Sequence, residues 1–115
     1  MYNHTQIINL NDANYETILQ GIDNLVWLDF WGENCPPCEM IARWLERLPA
    51  RFDDRVPVGK VNVYQCEEII EHFGVTGIPT FIFLQGGNEI YRQTNEISEA
   101  EVHNLLDSLL ETVRV

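Results

Sequence analysis

The chain has 115 residues, 45% of them hydrophobic and 22% charged, a balance that suits one globular domain and excludes collagen, coiled coil and intrinsic disorder. It carries 18 Asp and Glu against 7 Lys and Arg, a formal net charge of −11, which excludes the basic patch needed to bind nucleic acid or an anionic membrane. We expect a single domain over residues 1–115, and any electrostatically steered partner should be positively charged.

In chain order, the hydrophobic pattern predicts strands that alternate with helices. The strands are expected at Gln6–Leu10, Leu25–Trp31, Val56–Val63, Thr80–Leu84 and Glu89–Gln93. The helices are expected from Tyr15, after Cys35, over Glu67–Phe73 and after Ser98. The order β-α-β-α-β-α-β-β-α predicts an α/β fold, in which helices cover both faces of a mixed sheet. The nearly continuous apolar run in the second strand is typical of a strand buried on both faces.

Local signals predict where several helices begin and end. Asn11 and Asp12 are candidate caps of the first helix. Met40 falls on the apolar stripe of the second helix, and Pro49 should end or kink that helix. Gly74 suits the left-handed residue that follows a helix.

Two further signals lie near the end of the chain. Gly86-Gly87 between two strands predicts a hairpin turn. Ser98 with Glu101 predicts a capping box at the start of the last helix.

No targeting or membrane-spanning segment is predicted. Residues 1–11 lack the basic region and apolar stretch of a signal peptide. The longest apolar runs, Leu25–Trp31 and Ile78–Leu84, are much shorter than the roughly 20 residues that a spanning helix needs. Because the 3 cysteines are too few for a disulfide framework, we expect a reducing, cytoplasmic location.

The sequence Cys35-Pro36-Pro37-Cys38 lies between a buried strand and the first turn of a helix. Cysteines at this spacing can close a small disulfide ring or separate as thiols, and the helix N-terminus favours the nucleophilic thiolate. We expect Cys35 to be the exposed, attacking sulfur and Cys38 the resolving one. Because the two prolines have no N–H group, the backbone N–H of Cys38 is the nearest helix-start donor for the Cys35 sulfur.

Two structural alternatives to redox chemistry are a zinc half-site and a pair of inert core cysteines. Zinc sites need four ligands, and the remaining candidates do not recur at ligand spacing: Cys66, His4, His72 and His103. A lone Cys-x-x-Cys at a strand-to-helix junction favours redox chemistry. We therefore expect no metal and no bound cofactor.

The sequence resembles the thioredoxin family over nearly its whole length. The segments that carry the resemblance are Leu28–Trp31, Cys35–Cys38, Met40–Ala42, Lys60–Val63, Phe73–Val75 and Gly77–Phe81. The resemblance implies a thioredoxin fold, in which four helices flank a central, mixed five-stranded sheet. It also implies a monomeric protein-disulfide reductase, re-reduced by a flavoprotein similar to thioredoxin reductase that draws on NADPH.

The resemblance also implies roles for residues around the cysteines. Asp29 would assist proton transfer at Cys38, and Lys60 would be the lysine near it. From the residues alone, a carboxylate inside an apolar run should have its pKa raised by desolvation, unless it lies at a strand edge and reaches water. Trp31 would lie under the site, a place that a core aromatic would fill equally well.

A third group of residues is expected to contact the substrate. The resemblance implies that Pro79 is cis, faces the disulfide and turns the Ile78 backbone toward a substrate strand, and an ordinary trans proline is the alternative. Asn34, Pro36 and Asn95 stand where thioredoxins usually carry tryptophan, glycine and glycine. These departures bear on the substrate range and on the electron donor.

Two other functions stay open at this point. The first is a thioredoxin-like peptide-binding adaptor or chaperone with weak or no redox activity, suggested by the changed surface at Asn34, Glu39 and Asn95. The second is a metal or iron–sulfur carrier that bridges two chains through Cys35 and Cys38. Cys66 is expected to be a small, half-buried residue, with a regulatory cysteine as its alternative.

Overall fold

The structure, a computed structural model, describes residues 6–94 and 96–113 and has the predicted order of elements. The strands are β1 (Ile7–Leu10), β2 (Leu25–Trp31), β3 (Val58–Asn62), β4 (Thr80–Gln85) and β5 (Asn88–Gln93). The helices are α1 (Tyr15–Gln20), α2 (Pro36–Glu46), α3 (Glu67–Phe73) and α4 (Glu99–Thr112), with a 3-10 turn at Ala50–Phe52. Within the described ranges, no helix is both long and apolar enough to cross a membrane.

The sheet is mixed and five-stranded, with the order β1-β3-β2-β4-β5. Its central strand β2 pairs in parallel with β3 and antiparallel with β4. Only the last residue of β2, Trp31, is not fully buried, as the apolar run predicted. The chain leaves this central strand directly into the segment that contains Cys35 and Cys38.

Helices cover both faces of the sheet, as the element order predicted. Trp27 of β2 belongs to a core cluster that includes Leu45 of α2 and Leu106 of α4. Its neighbour Leu28 points to the other face and joins a second cluster with Ile69 of α3. Because side chains alternate along a strand, one buried strand supplies both cores and fixes the helices against it.

The predicted turns and caps in the second half of the chain are confirmed. Gly74 follows α3 with φ +65°, and Gly86 and Gly87 form the β4–β5 turn with φ +58° and +85°. Positive φ at both central residues is the requirement of the common two-residue hairpin turn. At α4, Ser98 and Glu101 form the reciprocal capping box.

The start of α1 differs from the prediction. Asn14 occupies the N-cap position without a side-chain cap bond, and Asn11 instead accepts the N–H groups of Ala13 and Asn14, both at 2.9 Å. The carboxylate of Asp12 accepts the N–H groups of Glu68 and Ile69, both at 3.1 Å, and therefore caps α3. Local spacing could not indicate this bond, because Asp12 and Glu68 are 56 positions apart in the chain.

Replacing Asp12 with alanine should lower the free energy of unfolding by about 1 kcal/mol, since two N–H groups of α3 lose their acceptor. Asp12→Asn is the matched control, because its amide oxygen can still accept a bond at the helix N-terminus. Urea denaturation measures both variants. Equal stability of the alanine variant and the wild type would show that this long-range cap does not stabilise α3.

Candidate active site

The Cys35–Cys38 disulfide lies at the start of α2, and the Cα atoms of the two cysteines are 5.2 Å apart. Cys35 is the N-cap residue, and Pro36 and Pro37 fill the first two helical positions. The backbone N–H of Cys38 donates to Sγ of Cys35 at 3.3 Å. This bond confirms the donor expected from the two prolines, and it places the Cys35 sulfur at the positive end of an 11-residue helix.

The expectation that Cys35 is exposed is wrong for the oxidised protein. Cys35 is 8% exposed, scarcely more than Cys38 at 5%. The closed ring holds both sulfurs against the first turn of α2, so neither stands clear of the surface. Whether a substrate can reach the disulfide therefore depends on the shape of the protein surface around the two cysteines.

Asp29 is buried in the middle of β2 and is 2% exposed. Its Oδ1 atom has no hydrogen-bond partner within the described part of the chain. Desolvation raises the pKa of this carboxyl from 3.8 to about 6, and the positive charge of Lys60 opposes the rise. The alternative of a strand-edge aspartate that reaches water is therefore wrong, and the predicted direction of the pKa change is confirmed.

Lys60 is the register partner of Asp29 across the β2–β3 pair. Its Nζ atom lies 5.2 Å from the centroid of the Trp31 ring, within range of a cation–π interaction. Trp31 is only half-buried, so it is not purely a core residue. The sheet thus brings together two predicted residues of β2, the strand that leads to Cys35, and one of the neighbouring strand β3.

The Ile78–Pro79 peptide bond is cis, as the resemblance implied, and the trans alternative is wrong. Pro79 is buried and Ile78 is half-buried. The Thr80 hydroxyl donates to the carbonyl of Gly77 at 2.6 Å and so ties the two sides of the proline together. This bond holds the turn immediately before β4.

An apolar groove of about 320 Å³ joins the start of α2 to the Pro79 turn. It is lined by Pro36, Pro37, Met40, Ile41, Trp44, Pro79, Phe81, Gln93, Glu96 and Ile97. Met40, predicted on the core-facing stripe, is 50% exposed here. Its position at the edge of that stripe, one turn before Trp44, is the signal that could have assigned it to a groove rather than to the core.

Asn34 and Glu33 form the turn between β2 and the disulfide. Asn34 is exposed and has φ +58°, a left-handed conformation that asparagine tolerates better than most residues. Glu33 is exposed, and its carboxylate accepts from the side-chain amide of Asn62 at 3.1 Å. Asn95, the remaining predicted substrate residue, lies outside the described residues.

Cys66 is separate from the disulfide and is a free thiol. It is 3% exposed, its sulfur lies 3.6 Å from the carbonyl oxygen of Leu10, and burial raises the pKa of the thiol. This is the expected small buried residue, more enclosed than the half-burial predicted. Across residues 6–94 and 96–113, no group of three or more His, Cys, Asp or Glu side chains is placed to hold a metal ion.

Comparisons with known proteins agree with this geometry. The sequence model of the Thioredoxin family matches residues 6–108. The chain is 30% identical to the thioredoxin of Haemophilus influenzae over 90% of this chain and 96% of that protein. It is 38% identical to the thioredoxin of Alicyclobacillus acidocaldarius over 84% of this chain and 95% of that protein. It is also 42% identical to Thioredoxin-T of Drosophila melanogaster, over 70% of this chain and 50% of that protein.

Proposed function

Since this chain belongs to the thioredoxin family and is a thiol–disulfide oxidoreductase, we propose that it reduces disulfides of protein substrates, with Cys35 attacking and Cys38 resolving. The observation that carries this assignment is the bond from the Cys38 N–H to Sγ of Cys35 at the start of α2. The same donor and the helix dipole would stabilise a Cys35 thiolate. By contrast, burial raises the pKa of the Cys66 thiol, which donates to the carbonyl of Leu10.

The reaction begins from the reduced protein. The Cys35 thiolate attacks one sulfur of the substrate disulfide, forms a mixed disulfide and releases the first substrate thiolate. Cys38 then loses its proton and attacks Sγ of Cys35, which breaks the mixed disulfide and releases the second substrate thiolate. Both substrate thiolates take up protons. The two electrons that they received came from the Cys35–Cys38 dithiol, which is left oxidised as the disulfide found in the structure.

Asp29 accepts the proton that Cys38 loses. Its pKa of about 6 lets it receive a proton near neutral pH far more readily than an ordinary carboxylate with a pKa of 3.8. Lys60, its neighbour across the strand pair, keeps that pKa from rising further. In this scheme Lys60 positions and tunes the carboxylate and does not touch the substrate.

The substrate backbone lies along Ile78 and Pro79, beside the start of α2. The apolar groove that links Pro36 with Pro79 receives a side chain next to the substrate cysteine. Trp31 and Asn34 flank the other side, and we assign Asn95 to substrate binding from its family position alone. The groove also supports a weaker second function, the binding of extended peptides without reduction.

Continued turnover needs an electron donor, and we assign this role to a flavoprotein that resembles thioredoxin reductase and uses NADPH. Such a donor operates in the cytoplasm, where thiols are kept reduced and the protein would contribute to redox homeostasis. We propose that the protein acts there as a monomer with residues 1–115 as one domain. No bound cofactor is required, because the two sulfurs carry both electrons.

Reduction of insulin by dithiothreitol tests the assignment. The protein should accelerate the precipitation of reduced insulin above the rate with dithiothreitol alone, in proportion to its concentration. Binding of an unfolded, disulfide-free chain is measured in parallel. Binding without any acceleration would replace the reductase assignment with the peptide-binding one.

A further inference from the structure

We propose that Tyr64 and Glu33 form a recognition point for a basic side chain of the substrate, so that the protein prefers disulfides flanked by arginine or lysine. This preference rests on the proposed reductase function and adds a substrate class to it. Neither residue lines the apolar groove. Tyr64 lines a separate surface pocket together with Ile78, and Glu33 lies two positions before Cys35. Neither belongs to the predicted substrate residues.

Tyr64 is an exposed aromatic residue whose ring packs at a defined position. It is 69% exposed, the highest value among the large hydrophobic side chains of the described residues. A Cβ atom at Gly32 would lie 2.6 Å from Cε2 of Tyr64 and 2.9 Å from Cδ1 of Ile78. The ring therefore packs over Gly32 and beside Ile78, the residue immediately before the cis proline, and glycine is what leaves room for it.

Asn62 joins Tyr64 to Glu33. Its Oδ1 atom accepts the backbone N–H of Tyr64 at 3.0 Å, and its Nδ2 atom donates to Oε1 of Glu33 at 3.1 Å. One amide thus contacts both the backbone of Tyr64 and the carboxylate of Glu33. Glu33 directly follows Gly32, over which the Tyr64 ring packs, so the two residues are linked both through Asn62 and through the chain.

The charges around the site favour a basic side chain of the substrate. Glu33, Glu39 and Glu96 are all exposed on the segments around the disulfide and its groove, and the chain as a whole carries −11. Lys60 is engaged with the Trp31 ring. An aromatic face next to a carboxylate is suited to a guanidinium or ammonium group, whereas an acidic segment would meet like charges.

The test uses three disulfide peptides that differ only at one residue near the cysteine, which is arginine, glutamine or glutamate. At low ionic strength, the wild type should reduce the arginine peptide with a kcat/KM about tenfold above that of the glutamate peptide, and added salt should narrow the ratio. Tyr64→Ala should lower kcat/KM for the arginine peptide about two- to fivefold and leave the glutamine peptide unchanged. Tyr64→Phe should preserve the preference, because it keeps the ring.

Glu33→Gln should also reduce the preference for arginine, and Glu111→Gln is its charge-matched control on the exposed surface of α4. Equal rates for the arginine and glutamate peptides with the wild type would overturn the recognition point but not the reductase function. So would an unchanged arginine-to-glutamate ratio in Tyr64→Ala. Absence of turnover with all three peptides would overturn both.

Discussion

Cys35→Ser should abolish insulin reduction, with a loss of about a thousandfold or more. A serine hydroxyl at this position cannot form the mixed disulfide, so the reaction has no first step. The control is Cys66→Ser, which removes a thiol that is 3% exposed and lies outside the disulfide. That variant should reduce insulin at the wild-type rate.

Cys38→Ser separates attack from resolution. This variant keeps the attacking sulfur and loses the resolving one, so it should accumulate a one-to-one mixed disulfide with a protein substrate. Mass spectrometry detects the adduct, and dithiothreitol releases it. Wild-type activity in Cys35→Ser, or an adduct attached to Cys66, would mean that the chemistry is assigned to the wrong sulfur.

Asp29→Asn should make the protein more stable near pH 7.5, by about 3 kcal/mol. The carboxyl has a pKa of about 6 when folded and 3.8 as its ordinary value, so the native state holds its proton at pH values where the unfolded chain has lost it. Stability from this group therefore falls as pH rises from about 4 to about 6 and stays low above that range. Asparagine carries no charge, so the variant does not lose this stability as the pH rises.

Urea denaturation at pH 4 and pH 7.5 measures this effect. The gain from Asp29→Asn should be large at pH 7.5 and small at pH 4, while the exposed control Asp23→Asn should change little at either pH. A variant that is less stable than the wild type at pH 7.5 would contradict the raised pKa of the buried Asp29 carboxyl.

The same substitution should slow the reaction while it stabilises the fold. Without a base to take the proton of Cys38, resolution of the mixed disulfide should be about a hundredfold slower near pH 7. The pH–rate profile should also lose its inflection near pH 6, the pKa of Asp29. An unchanged profile would confine Asp29 to a structural role.

Features set by neighbouring residues could be predicted from the sequence. The apolar run Leu25–Trp31 became the central strand because continuous burial needs continuous hydrophobicity. Gly86-Gly87 formed the hairpin turn because only positive φ fits there. The hydrogen-bond donor to the Cys35 sulfur could also be predicted. The two prolines have no N–H group, so the nearest donor left at the helix start is the Cys38 N–H.

Features set by the tertiary structure could not be predicted. The bond from Asp12 to α3 spans 56 positions, so the helix nearest in sequence was the wrong partner. Met40 fits the apolar stripe of α2, but the core does not cover the full width of that stripe. Met40, at its edge, therefore lines the groove instead. The packing of the Tyr64 ring over Gly32 depends on two loops that meet only in the folded protein.

A single-turnover count of thiols is the most direct measurement of the central claim, that Cys35 and Cys38 deliver two electrons to a protein disulfide. The reduced protein is mixed with excess insulin without any other reductant, and thiols are alkylated and mapped by mass spectrometry. We predict one Cys35–Cys38 disulfide formed for each insulin disulfide lost, with Cys66 still a thiol. Intact insulin disulfides beside a fully reduced Cys35–Cys38 pair would contradict the account.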